Sequence, residues 1–275
     1  MNAVLRQVRW EQRQFFRNVP AAVFTVVFPL IFLVLLSALF ADDRVDDVAG
    51  NPKFVQLFVP AIVAYGVISA CYTGLAFTLT IRREEGILKR KRGTPLLLRD
   101  YIGGMIGSSL VVSALLSAVT IAIGIVAFGV TFPDWLERLP TLIIVLLAGA
   151  TCASAWGIAI SALIPNQESA PAIINVLLFP LLFISGTFAR VRPDSFVDHL
   201  AQFFPVWHFN RAMEWVFSEQ ATGGAWRPRY LLALAAWTLV GVAIASKRFR
   251  WEPHANEGRS PRRSRGRATV SPESH

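Results

Sequence analysis

The chain has 275 residues, of which 54% are apolar and only 16% charged, and it carries a formal net charge of +9. Its apolar residues fall in blocks rather than at the spacing of a soluble amphipathic helix, which excludes a water-soluble globular domain and indicates an integral membrane protein. The positive balance then reports sidedness and contact with membrane lipids, not nucleic acid.

In residues 2–19, Val4, Leu5, Val8, Phe15, Phe16 and Val19 fall on one helical face and Arg6, Arg9, Arg13 and Arg17 on another. Two readings fit this pattern: an amphipathic helix lying in the cytoplasmic interface on anionic lipid, and a plain positive flank of the first span. The first apolar run covers 20–40, follows that arginine-rich segment, contains Pro29 and has no convincing cleavage motif. It reads as a retained span rather than a secretory signal. Further runs cover 54–81, 101–130, 139–164, 169–188 and 230–246, none with a charged residue, and about 20 apolar residues cross a hydrocarbon core. The expected fold is therefore an all-α integral membrane protein with six transmembrane helices. Its parts are an interfacial helix at 1–19, a transmembrane domain at 20–247 and a disordered basic tail at 248–275.

Gly66, Gly74, Gly103, Gly104, Gly107, Gly124, Gly129, Gly149 and Gly157 recur in the second to fourth spans, where small residues let helices approach closely. The connection at 189–229 is too apolar for a solvated loop. A helix from about 205 to 217 within it, apolar on most of its surface, is expected to sit in the outer interface or re-enter the bilayer. Nineteen of the 27 Lys and Arg lie in the N-terminal segment, in 82–100 and from 247 onward, against eight in the 41–53, 131–138 and 189–229 connections. Both termini are thus expected in the cytoplasm of a multi-pass cell-membrane protein.

The chemistry that is missing narrows the function. No G-x-x-x-x-G-K-[ST] loop, H-E-x-x-H or G-x-S-x-G occurs, and His199, His208, His254 and His275 all lie outside the spans. The chain therefore has no ATP site of the usual kind and no catalytic residues to assign. Cys71 and Cys152 both fall inside spans, which argues against a disulfide framework or a metal site. Ion-coupled carriers usually keep charged residues at membrane depth, so the charge-free spans argue against that class and indicate an external source of energy. Polar residues in the spans, among them Tyr65, Tyr72, Thr73, Thr78, Ser113, Ser117, Thr120, Trp156 and Asn175, are expected to bond neighbouring helices.

The most informative stretch is 82–95, where Arg82-Arg83-Glu84-Glu85-Gly86-Ile87-Leu88-Lys89-Arg90-Lys91-Arg92-Gly93-Thr94-Pro95 packs dense charge between two apolar runs. Glu85 and Lys89 have the favoured i,i+4 order on a helix, and Gly93-Thr94-Pro95 ends that helix. Glu85-Gly86-Ile87-Leu88, the basic run and Thr94-Pro95 together resemble the cytoplasmic loop of type-2 ABC transporter permeases. So does Pro165 to Ala170 followed by Phe179-Pro180-Leu181-Leu182-Phe183-Ile184-Ser185-Gly186, which is similar to the family's P-x-x-x-x-S-G segment. Phe204-Pro205 with Arg211 is a third match. Ile87 and Ala189-Arg190 depart from the family pattern.

The resemblance implies a permease subunit of an ATP-binding-cassette exporter, with six spans and a coupling helix between the second and third. It implies that the 82–95 loop contacts a separate ATPase, two copies of which bind ATP and Mg, while the permease forms a homodimer or a heterodimer with a related permease. Glu84, Glu85, Gly86, Leu88, Arg90 and Arg92 are the docking candidates, and Thr94, Pro95, Pro180, Ser185 and Gly186 the motif residues. A path along the second and fifth spans would be lined by Tyr65, Tyr72, Thr73, Phe77, Asn175, Phe179 and Phe183. The expected cargo is amphipathic or hydrophobic, drug- or lipid-like. Export of a polysaccharide or lipid-linked glycan is the alternative within the family, and an ion-coupled carrier or a cargo-free anchor the alternatives outside it.

Overall fold

In a computed structural model, residues 3–40, 43–45, 50–92, 97–188, 191–192 and 194–248 are described. The basic tail from 249 and the motif residues Thr94 and Pro95 lie outside them. Among the described residues the chain is helical, with a single antiparallel bridge between Arg44 and Lys53. The helices in order are α1 (Ala3–Arg17), α2 (Val19–Leu39), α3 (Phe54–Ile68), α4 (Gly74–Glu84), α5 (Ile87–Arg92), α6 (Leu98–Phe128), α7 (Trp135–Ser161), α8 (Ala170–Ile184), α9 (Phe196–Ala201), α10 (Pro205–Phe217) and α11 (Pro228–Arg248). A π-helical turn, Ser69–Thr73, joins α3 to α4.

Among the described residues four helices are long and apolar enough to cross a membrane: the continuous Phe54–Glu84, then Arg99–Phe128, Trp135–Ser161 and Pro228–Arg248. Thr25–Leu39, the part of α2 whose side chains are described throughout, and Ala170–Ile184 are shorter apolar stretches. The Phe54–Glu84 helix is the centre of the bundle, with 78% of its apolar window buried against 17% for α11. It packs against α2, α6, α7 and α10, while α11 lies along α7 and α1 along α6.

Close packing rests on a few glycines. A Cβ at Gly157 of α7 would stand 2.7 Å from the Tyr72 carbonyl oxygen and 3.0 Å from that of Cys71, so α7 touches the π turn backbone to backbone. On α6, a Cβ at Gly124 would meet Val59 at 2.8 Å and one at Gly66 of α3 would meet Leu116 at 2.8 Å. These contacts hold the central helix in van der Waals range on two sides, where dispersion and packing, rather than expulsion of water, supply the attraction.

Several hydroxyls in the spans bond back within their own helix, while Ser113 of α6 and Ser154 of α7 also reach the Cys71 thiol of the π turn. Thr120 donates to Leu116 O at 2.8 Å, Ser113 to Leu110 O at 3.0 Å and Thr80 to Ala76 O at 2.8 Å, each within its own helix. Returning a hydroxyl proton to a carbonyl one turn back satisfies it without a partner helix, and this local bond wins where the neighbouring wall is apolar. Trp156 does bridge, donating to Trp237 O of α11 at 3.1 Å.

Gly157→Ala is expected to lower the thermal midpoint of the purified chain, because the added methyl meets backbone that has no rotamer to yield; overpacking of this kind costs about 1–3 kcal/mol. Gly103→Ala, whose added Cβ would meet only Val4 at 3.8 Å, is expected to leave the midpoint unchanged in the same melting experiment.

Candidate functional site

The charged stretch after the central helix folds as an extension of it. α4 runs on through Arg82 and Arg83 to Glu84, Glu85 caps it, and Gly86 turns the chain at φ +69° into α5. That left-handed turn requires glycine on conformational grounds, since a Cβ there would meet nothing within 4 Å. It also separates Glu85 from Lys89. The two are not on one helix, no ion pair joins them, and the Glu85 carbonyl instead accepts from Arg90 at 3.1 Å.

Arg82 and Arg83 are both buried. Arg82 forms a two-pronged pair with Glu11 of α1, Nη1 to Oε1 and Nη2 to Oε2, each at 2.7 Å, and donates to the Tyr101 hydroxyl of α6 at 2.9 Å. Gln7 adds a bond to Glu11 Oε1 at 2.7 Å, and the guanidinium stands 5.5 Å from the Trp10 ring. The glycines of α6 make room for this: a Cβ at Gly104 would stand 2.3 Å from the Gln7 side chain. Arg83 reaches the other way, donating to Ser161 O at 2.7 Å and to Ile164 O at the end of α7. The Glu84 carboxylate accepts the Gln167 backbone N–H in the connection that precedes α8.

The docking candidates therefore divide. Leu88 is wholly buried with Leu75, Leu79, Tyr101 and Met105, and it fastens α5 to α4 and α6. Glu84, Glu85 and Arg90 are exposed, as is Lys89. Arg92 is the last residue of α5, and its side chain lies outside the described set. The result is a six-residue basic helix held by an apolar anchor and set on a platform of three helices.

The membrane-path candidates are scattered. Tyr65 is buried with its ring 5.1 Å from Phe188, and Phe183 meets the same ring at 5.8 Å. Thr73 is half-buried, whereas Phe77, Asn175, Phe179 and Phe183 are exposed. Tyr72 and the motif residue Pro180 instead line an apolar cavity of about 460 Å³ between the π turn, α7, α8, α10 and α11.

The motif turn after α8 is built from Ser185 and Gly186, the latter at φ +82°. The Ser185 hydroxyl lies 3.0 Å from that of Thr187, and Asn210 of α10, wholly buried, donates to Ser185 O at 3.2 Å. Arg211 pairs with Glu214 at 2.7 Å and stands 3.8 Å from Asp198, which accepts the Trp207 indole N–H at 3.0 Å. Burial, and to a smaller extent the charge of Arg229, push the His208 imidazole below its ordinary pKa. Arg138, counted as a connecting-loop charge from sequence, is in the first turn of α7 and buried. It donates to Val216 O, Ser218 O and Ala221 O at 3.1, 2.7 and 2.6 Å, closing the C-terminal end of α10.

Sequence reasoning did not single out Gln7, Glu11, Tyr101, Arg138 or Asn210. Glu11 carried a signal: it is the lone acid in a helix holding Arg6, Arg9, Arg13 and Arg17. Among the described residues no group of His, Cys, Asp and Glu is placed to hold a metal ion.

A family model described as ABC-2 type transporter matches residues 4–217. The chain belongs to that family, whose members are membrane subunits that typically pair with an ABC ATPase. No curated protein matches the chain.

Removing one member of the Glu11–Arg82 pair strands a buried charge, which costs about 3–5 kcal/mol, whereas replacing both with apolar residues is often close to neutral. Arg82→Leu and Glu11→Leu are each expected to lower the melting temperature sharply, and the double variant to recover most of the loss in a double-mutant cycle.

Proposed function

We propose that the chain is the six-span permease subunit of an ATP-driven exporter, with both termini and α5 in the cytoplasm and α5 as the element on which a separate ATPase docks. The observation that carries this reading is the mounting of α5. An exposed charged turn and a basic helix are fixed through Leu88 to a buried apolar cluster and through Arg82 and Arg83 to α1, α6 and α7. A topogenic loop needs positive charge but no such foundation.

In this reading two ATPase copies bind ATP and Mg and close against one another, and each closure displaces the α5 it holds. Glu84, Glu85, Gly86, Arg90 and Arg92 form the contact, with Leu88 as the anchor beneath. The permease works as a pair, with itself or with a related chain. The exposed face of α8 carrying Asn175, Phe179 and Phe183, together with Phe77, fits a path shared between two such subunits. That face has no charge, which favours an amphipathic or hydrophobic cargo, drug- or lipid-like, over a glycan.

Glu85→Lys reverses an exposed charge, and Gly86→Pro forbids the φ of +69°. Both are expected to abolish co-purification with the partner ABC ATPase and to reduce permease-stimulated ATP hydrolysis at least tenfold. Undiminished binding and hydrolysis in a folded Glu85→Lys variant would remove α5 as the docking element.

A further inference from the structure

We propose that the 460 Å³ cavity enclosed by the π turn, α7, α8, α10 and α11 is a binding site for one acyl chain of a bilayer lipid, held inside the subunit. The inference goes beyond the permease reading, which places cargo on the exposed face of α8 and assigns nothing to this interior space.

The chemistry of the wall selects the occupant. Among the lining residues the one hydroxyl is that of Tyr72 and no charged side chain is present. The two indoles that face the cavity have already spent their N–H groups, Trp156 on Trp237 O and Trp237 on Phe203 O, both at 3.1 Å. They present ring surface alone. A hydrated or charged solute entering here would lose its water and gain no replacement bonds, at a cost of several kcal/mol per polar group. An apolar hollow of even about 150 Å³ stays free of water and takes up hydrocarbon, and this one is three times larger.

The packing shows why the space exists. α8 makes its main contacts with α4, α9 and α10, so a gap remains on the side facing α7 and α11. On the opposite wall Gly149 lets the Phe209 ring lie directly against α7, since a Cβ there would stand 2.2 Å from that ring. The position of the rim supplies the source of the ligand. Val176 and Leu177 of α8 line the cavity and are also 71% and 44% exposed on the outer face of an apolar helix. The opening is thus bordered by hydrocarbon, and a lipid chain can enter sideways without leaving the bilayer. Its contacts would supply the dispersion energy that α8 lacks against α7 and α11.

The test uses the full chain in nanodiscs made with phosphatidylcholine that bears a diazirine near the end of one acyl chain. After irradiation and peptide mapping, adducts on Trp156, Phe204 and Trp237 are expected to exceed those on Val126, an 86% exposed residue of α6, at least fivefold. Ala153→Trp, which places an indole in the cavity where a chain would lie, is expected to cut the interior adducts at least fivefold and leave Val126 labelling unchanged. Equal labelling of interior residues and Val126 in the wild-type chain would overturn the proposal, whether or not the variant folds. So would stronger interior labelling by a small aromatic diazirine in competition with the lipid, which would assign the site to a free apolar solute. The measurement needs neither ATP nor an ATPase, so its outcome is independent of whether α5 docks one.

Discussion

A helix that ends inside or beside a bilayer leaves carbonyl groups that no water can reach, and the architecture depends on how this chain satisfies them. It does so with arginine. Arg83 donates to Ser161 O and Ile164 O at the C-terminal end of α7, and Arg138, in the first turn of the same helix, closes the C-terminal end of α10. A guanidinium suits the task because it offers five donors in a plane and complements the negative end of the helix dipole. Arg82 completes the set with a carboxylate instead of carbonyls. Each of these side chains is long enough to tie a helix that is distant in sequence, so these arginines help determine which helices meet.

This accounts for what the sequence made legible and what it concealed. The apolar blocks and the breaks between them were readable because hydrocarbon imposes length and composition on every crossing helix. The turns at Gly86 and Gly186, both left-handed in the structure, were not legible as turns: the spacing places Gly86 within a helix, and Ser185-Gly186 stands out only as a family motif. Long-range partnership leaves no local mark. Glu11 and Arg82 are 71 residues apart, and each looks like one more surface charge until α1 is laid on α6. The Glu85–Lys89 expectation failed for the converse reason: its spacing was right, but the intervening glycine ended the helix on which that spacing has meaning.

The path candidates on the second and fifth apolar runs separated for a geometric reason. Aromatic and polar residues on one helix point to several faces, and sequence gives no phase. Tyr65 turns toward Phe188, Tyr72 toward the cavity, and Phe77, Asn175 and Phe179 outward. The π turn between Ile68 and Gly74 changes that phase further, since it inserts an extra residue into the helical repeat at the point where Gly157 makes contact. Residues before and after Ser69–Thr73 therefore face directions that a regular helix would not predict.

The same contacts determine how a load applied at α5 is carried. A basic helix hung on a flexible loop would move without consequence. Here Leu88 is locked into the cluster of Leu75, Leu79, Tyr101 and Met105, so displacing α5 displaces α4 and α6 with it. Arg82 carries the load to α1, and Arg83 carries it to the end of α7, while the Glu84 bond to Gln167 reaches the connection that leads into α8. α1, α4, α6 and α7 pack on one another through these contacts. α8 does not belong to that group in the same degree, because the cavity parts it from α7 and α11. Of the helices linked to α5, α8 is the one set apart by a cavity, and its outer face carries Asn175, Phe179 and Phe183.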